Sequence, residues 1–219
     1  IGYGAMDNDG GNLGTPLENN DNTFVGYLAG SGEWETATCS NNVGVGVETL
    51  AGALNGADNN VAIGYRALYD LAEGDHNIAI GRLAMGGALD TAADASEYNV
   101  AIGSSAGGGD WVTATSSRNV GIGFTSMGSH LNAADYNVAV GYESLLDMTT
   151  GKNNTALGYR AGDNLTTAER CTLVGAEAGR GLLVTGGSVP NNADGTTAIG
   201  YKALTALTTG AGNTAIAVS

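Results

Sequence analysis

Basic residues are scarce: 8 Lys and Arg stand against 22 Asp and Glu, a net charge of −14. A chain so acidic repels phosphate backbones and anionic lipid surfaces, which argues against nucleic acid as a partner. No run of 18 apolar residues occurs, so no segment is expected to insert in a membrane. The N-terminal stretch lacks the basic and apolar regions of a signal peptide, which leaves secretion open. Only two cysteines are present, Cys39 and Cys171; they form no CxxC, so free thiols are expected rather than a metal site or a disulfide. Catalytic signatures are absent too. There is no GxSxG, HExxH or Walker pattern, and the GxG of GVGVETL and GIGFTSMG lacks the following helix that a dinucleotide turn requires. His76 and His130 sit at different places in their surroundings and read as loop residues. Carboxylate pairs such as Glu33 with Glu35, or Asp90 with Asp94, arise easily in an acidic chain. No catalytic residue, no cofactor and no enzymatic activity are therefore expected. Asp7, Asp9 and Asn12 of DNDGGN offer oxygen ligands for Ca²⁺ but lack the distal Glu of an EF-hand loop, which makes this a weak candidate site.

What the chain has in quantity is glycine, 37 of 219 residues, and repetition. LNGADNNVAIGY, Leu54 to Tyr65, returns as LNAADYNVAVGY, Leu131 to Tyr142. With the glycine of VAIG as anchor, the motif recurs at Gly2, Gly26, Gly46, Gly64, Gly81, Gly103, Gly123, Gly141, Gly158, Gly175 and Gly200, with Ala217 standing in last. The intervals are 24, 20, 18, 17, 22, 20, 18, 17, 17, 25 and 17 residues.

Each position around the anchor has its own chemistry. The preceding residue is branched and apolar: Val25, Val45, Ile63, Ile80, Ile102, Ile122, Val140, Leu157, Val174, Ile199 and Ile216. Two before the anchor stands Ala or Gly, except at Phe24 and Leu173; three before stands Val, Ile or Thr. A period of two means a strand with one large apolar face and one very small one. Four before the anchor stands Asn: Asn22, Asn42, Asn60, Asn77, Asn99, Asn119, Asn137, Asn154 and Asn213. Identical amides stacked along an axis satisfy one another as a ladder. Short strands at such intervals, each followed by a second short extended piece, predict an all-β, parallel β-solenoid of about eleven coils of 17–25 residues. The branched residues are expected inside each coil and the Ala/Gly face outside it, toward neighbouring chains.

A slower period overlies the first. Gly26, Gly46, Gly64 and Gly81 map onto Gly103, Gly123, Gly141 and Gly158 by a constant shift of 77 residues. The expected organisation is one repeat domain, 1–219, containing a four-coil unit twice, 26–102 and 103–179. WETATCSNNVGVG and WVTATSSRNVGIG place Trp34 and Trp111 equivalently, which makes them candidate ligand contacts within the long loops 28–41, 85–98, 105–118 and 179–195.

NVAIGY with small residues following, and TTG turns as in TALTTGAGNTAIA, resemble the head repeats of YadA-like trimeric autotransporter adhesins and, more closely, the longer repeats of trimeric bacteriophage tail fibres. The resemblance covers nearly the whole chain. It implies a left-handed β-roll, a homotrimer, an extracellular place on a virion or cell surface, and partners among adjoining fibre segments. The coils are longer than in the adhesin heads, so the resemblance does not carry over a collagen- or matrix-binding role. Function divides three ways: a structural fibre segment giving reach, rigidity and loop display for attachment; a module binding a host-surface glycan or receptor through the Trp34 and Trp111 loops; and a subunit stacking end to end into a filament. An ice-binding solenoid would want a full Thr ladder, and Thr holds the position three before the anchor only at Thr23, Thr155, Thr172, Thr197 and Thr214. Two surface rows are expected to be structural. Charge alternates two after the anchor, with Glu48 before Arg66 and then Glu143, Arg160, Glu177 and Lys202, and reads as an ion-pair ladder. Tyr3, Tyr27, Tyr65, Tyr142, Tyr159 and Tyr201, one after the anchor, read as rings packed between coils.

Overall fold

A computed structural model describes residues 2, 3, 5, 21–32, 38–52, 54–87, 95–110, 114–181, 193–207 and 210–217. The described residues are all-β, eleven three-residue strands in a single sheet: β1 (Thr23–Val25), β2 (Val43–Val45), β3 (Val61–Ile63), β4 (Ile78–Ile80), β5 (Val100–Ile102), β6 (Val120–Ile122), β7 (Val138–Val140), β8 (Thr155–Leu157), β9 (Thr172–Val174), β10 (Thr197–Ile199) and β11 (Thr214–Ile216). They pair in chain order, all parallel, each rung on the next. Register is one motif on another, as in Val61↔Ile78 and Ile63↔Ile80. The result is a β-solenoid.

Each strand stops because the anchor glycine turns the chain where no side chain fits. At Gly64 φ is +125°, and an added Cβ would lie 2.6 Å from the Gly81 carbonyl oxygen of the next coil. Left-handed residues then follow at fixed places, for example Arg66 (φ 53°) and Leu68 (φ 50°) after the anchor and Asn59 (φ 60°) before the strand. Each such residue costs about 1–2 kcal/mol. The turn is retained because it keeps N–H and C=O aligned with the solenoid axis. Arg66 N–H donates to Val47 O at 3.0 Å, Leu68 N–H to Ala84 O at 3.1 Å, and His76 N–H to Asp58 O at 3.0 Å. Coil-to-coil hydrogen bonding thus continues through the turns. Among the described residues each coil holds one strand, and these bonded turns stand where a second extended piece was expected.

The core reverses the expected sidedness. Ala62, Ala79, Ala101, Ala139, Ala156 and Ala198, at the strand centres, are buried within the chain's own coil. The branched residues face outward: Val25, Val45, Ile63, Leu157, Ile199 and Ile216 are exposed, and Ile80, Ile102, Ile122, Val140 and Val174 are half-exposed. The large buried side chains come from the turns, among them Leu50, Leu68, Met85 and Leu145 four after the anchor, and Leu54, Leu71, Leu131, Met148 and Leu165 further on. A solenoid this thin leaves room for one large layer. The turns supply it, and only Ala or Gly fits opposite on the strand.

Two exceptions follow the same volume rule. Phe24 and Leu173 are the large residues at strand centres, and in their coils the place four after the anchor is glycine, Gly30 and Gly179. A Cβ on Gly30 would come within 2.9 Å of the Phe24 ring, and one on Gly179 within 2.6 Å of Leu173. The coil of Gly103 keeps the glycine, Gly107, but has Ala101 where its 77-residue counterpart has Phe24. There a cavity of about 10 Å³ remains, bordered by Met85, Met127 and Leu131. Thioethers suit such a place because their unbranched, flexible chains adapt to irregular gaps.

Candidate functional site

The expected asparagines form a column. Nδ2 of Asn60, Asn77, Asn99, Asn119, Asn137 and Asn154 each donates to Oδ1 of the asparagine one coil earlier, at 3.0–3.2 Å. The same Oδ1 accepts the backbone N–H of the later asparagine, as in Asn77 N–H to Asn60 Oδ1 at 2.9 Å. The second Nδ2 hydrogen reaches forward to a carbonyl of the following coil, such as Ala134 O for Asn119 at 2.7 Å. Asn22 and Asn42 begin the column through Asn42 N–H to Asn22 Oδ1 at 2.8 Å. Every donor and acceptor of an interior rung is satisfied away from water, which is what makes buried amides tolerable. Cys171 and Thr196 then replace asparagine. Cys171 N–H donates to Asn154 Oδ1 at 2.9 Å and its Sγ to Ala193 O at 3.2 Å, while Thr196 Oγ1 is buried with no partner. Asn213 stands apart from the column and bonds Gly210 O within its own coil at 2.6 Å. Both cysteines are buried thiols, and burial pushes each above its ordinary value.

Beside the amides runs a second column that sequence reasoning passed over. Six before the anchor, Asp58, Asp75, Asp135 and Asp194 each use Oδ1 to accept the backbone N–H of the equivalent residue one coil earlier, at 2.6–3.0 Å. Ser117 does the same for Glu97 at 3.1 Å. The signal was a short acceptor side chain recurring at one offset, hidden among variable loop residues. This column also explains part of the acidity: these carboxylates are built into the backbone ladder.

The charged row two after the anchor is partly paired. Arg66 meets Glu48, and Arg160 meets Glu143 at 2.6 Å. Glu177 lies 4.0 Å from Lys202 and is bonded instead to Arg180 at 3.1 Å. Arg180 also holds Asp163 at 3.1 Å; Asp163 Oδ1 is buried without a partner, and desolvation holds that carboxyl above its usual range. The tyrosine row stacks where rings are adjacent: Tyr3 on Tyr27 at 5.8 Å, Phe124 on Tyr142 at 5.3 Å and Tyr142 on Tyr159 at 5.4 Å between centroids. A further stack lies five before the anchor, where His76 packs on Tyr98 at 4.7 Å and the Arg118 guanidinium lies over Tyr98 and Tyr136 at 5.4 and 5.5 Å. His130 lies elsewhere, its Nδ1 3.2 Å from Asp110 O.

Trp34, Trp111, the calcium candidates Asp7, Asp9 and Asn12, and the carboxylates Glu33, Glu35, Asp90 and Asp94 lie outside the described residues. Among the described residues no three His, Cys, Asp or Glu side chains group to hold a metal ion, and no helix is long and apolar enough to cross a membrane. What the described surface presents is the outer face of the sheet. Val, Ile or Leu one before the anchor, with Val, Ile or Thr three before it, make a largely apolar stripe that continues from rung to rung, bordered by the aromatic row. These features define the chain as a β-solenoid repeat protein with an apolar outer sheet face. No family model, no curated protein and no solved structure matches it.

Proposed function

We propose that the chain is a structural segment of a homotrimeric extracellular fibre, the shaft or head of a virion tail fibre or cell-surface adhesin. Its work is reach, rigidity and the display of loops for attachment to a host or surface, with two further copies and adjoining fibre segments as partners. The observation that carries this reading is the outward apolar stripe. Eleven rungs at about 4.8 Å make it about 50 Å long, and the three strand residues from three before to one before the anchor make it about 10 Å wide. The footprint, about 500 Å², is at the upper end of the ~300–600 Å² of the largest apolar patch on a typical monomer, the size at which such patches mark contacts with other chains. Acidic side chains built into the backbone ladder lie off this face and keep the assembled rod soluble.

Sedimentation equilibrium tests the reading. Three chains of 21.8 kDa give a particle of about 65 kDa, and Ile102→Lys, which puts a charge at the middle of the stripe, is expected to dissociate it. A wild-type chain that sediments as a monomer or a dimer at micromolar concentration overturns the trimer.

A further inference from the structure

The aromatic row is interrupted at Val47, at Arg82 and Ser104, and at Ala176, and Ala176 is the smallest side chain that stands singly between two rings. Strand register sets Leu157, Val174 and Ile199 on consecutive rungs, and the bonds Glu177 N–H to Tyr159 O at 2.7 Å and Lys202 N–H to Ala176 O at 2.9 Å carry that register through the turn. Tyr159, Ala176 and Tyr201 therefore occupy the same place on three successive coils. In the three coils immediately before it the row is filled, with Phe124, Tyr142 and Tyr159 stacked at 5.3 and 5.4 Å and ring planes within 17°. At Ala176 the stack has a floor and no ring. The two tyrosines stand two rungs apart, about 10 Å, and both are exposed, 46% and 51%. One six-membered ring placed midway would sit at the ring-to-ring distance the row already uses.

Glu177 and Lys202, which follow Ala176 and Tyr201 in the chain, line a polar cleft of about 370 Å³ together with Asn164, Arg180, Gly181 and Thr205. Its groups alternate donor and acceptor: guanidinium, ammonium, carboxylate, amide and hydroxyl. The Lys202 ammonium lies over the Tyr201 ring, 5.0 Å from its centroid, is held chiefly by the Tyr201 side chain, and stands 4.0 Å from Glu177. Two exposed aromatic rings about 10 Å apart, with mixed donors and acceptors beside them, match a saturated sugar ring, whose C–H faces stack on aromatic rings while its hydroxyls each give and take a hydrogen bond.

We propose that the gap between Tyr159 and Tyr201 is a subsite for a pyranose ring of a glycan, the sugar taking the place of the missing ring and its hydroxyls reaching Glu177, Arg180 and Lys202. The site is built within one chain, so the proposal does not rest on the fibre reading.

Saturation-transfer NMR on the full chain, against a panel of methyl pyranosides that includes neutral sugars and a uronide, tests it. At least one is expected to bind with a Kd of about 1 mM, the order reached by a ligand of a dozen heavy atoms at ordinary efficiency. Ala176→Tyr completes the stack and is expected to weaken that binding at least tenfold, with melting temperature and sedimenting mass unchanged. Tyr142→Ala, in the filled part of the row, leaves binding as it was. If Ala176→Tyr fails to fold, Tyr201→Ala takes its place and is expected to abolish binding. No binding by any sugar of the panel, or binding that survives both the filled gap and the removed wall, overturns the proposal.

Discussion

Replacing Asn119 by alanine removes one interior rung of the amide column, and the structure gives the cost. Four hydrogen bonds go: Asn119 Nδ2 to Asn99 Oδ1 (3.2 Å) and to Ala134 O (2.7 Å), and Asn119 Oδ1 from Asn137 N–H (3.0 Å) and Asn137 Nδ2 (3.1 Å). Asn99 Oδ1 keeps the backbone N–H of residue 119, and Asn137 Nδ2 keeps Gly151 O. The Asn137 N–H and the Ala134 carbonyl lose these partners at residues that are fully buried. At about 1 kcal/mol net per bond, with buried groups left unmade costing toward the upper end, the loss is about 4 kcal/mol. Asn213→Ala is the control, since it removes a single bond, to Gly210 O, within one coil; about 1 kcal/mol is expected. Urea denaturation followed by far-UV circular dichroism, at one protein concentration so that assembly is held constant, measures both. A loss below about 1 kcal/mol for Asn119→Ala, or equal losses for the two variants, would refute the idea that the column is a cooperative structural element rather than a row of separate turn caps.

The volume rule predicts a compensating pair. Leu173→Ala empties a fully buried site and is expected to cost about 3 kcal/mol, Gly179→Leu alone is expected to clash with Leu173, and the double variant, which recreates the Ala-and-Leu coil found elsewhere, is expected to recover most of the loss in thermal melting. Additive losses would contradict the rule. Alkaline pH supplies a separate check. Burial raises the folded thiol of Cys171 above 9.0, so the unfolded chain loses that proton first, and its contribution is complete below about pH 9 and declines as pH rises beyond. Cys171→Ser, which keeps a donor toward Ala193 O and does not titrate there, is expected to flatten the decline of melting temperature between about pH 8.5 and 10.5; an unchanged slope would show that the thiol is not the responsible group.

Much of this architecture was legible because a solenoid repeats its chemistry at every coil. The glycine anchors, the two-residue period and the asparagine row are enough to place coil stacking, the strands and the amide column. Sidedness was not legible. A strand reading Val-Ala-Ile has one large and one small face, and the usual expectation buries the large one. What decides the matter is the width of the coil, set by Leu50, Leu68 and Leu145, whose left-handed turn positions aim them across the interior. Leucine at positive φ is a rare conformation that a sequence pattern does not announce. The carboxylate column at Asp58, Asp75, Asp135 and Asp194 was missed for another reason: in an acidic loop a recurring Asp looks like composition until its partner is seen to be a backbone N–H. The ring gap at Ala176 was present in the sequence as an absence within the tyrosine row, and only register turns such an absence into a space.

A density map at side-chain resolution tests the central claim most directly. The account predicts one three-residue strand per coil, Ala62, Ala79 and Ala139 packed against the turn leucines and methionines of their own chain, an unbroken amide column from Asn42 to Asn154, and Ile63, Ile80 and Ile102 on the outer face. Density that places those isoleucines inside the coil with the alanines outward, or that sends successive asparagines in different directions, would contradict it.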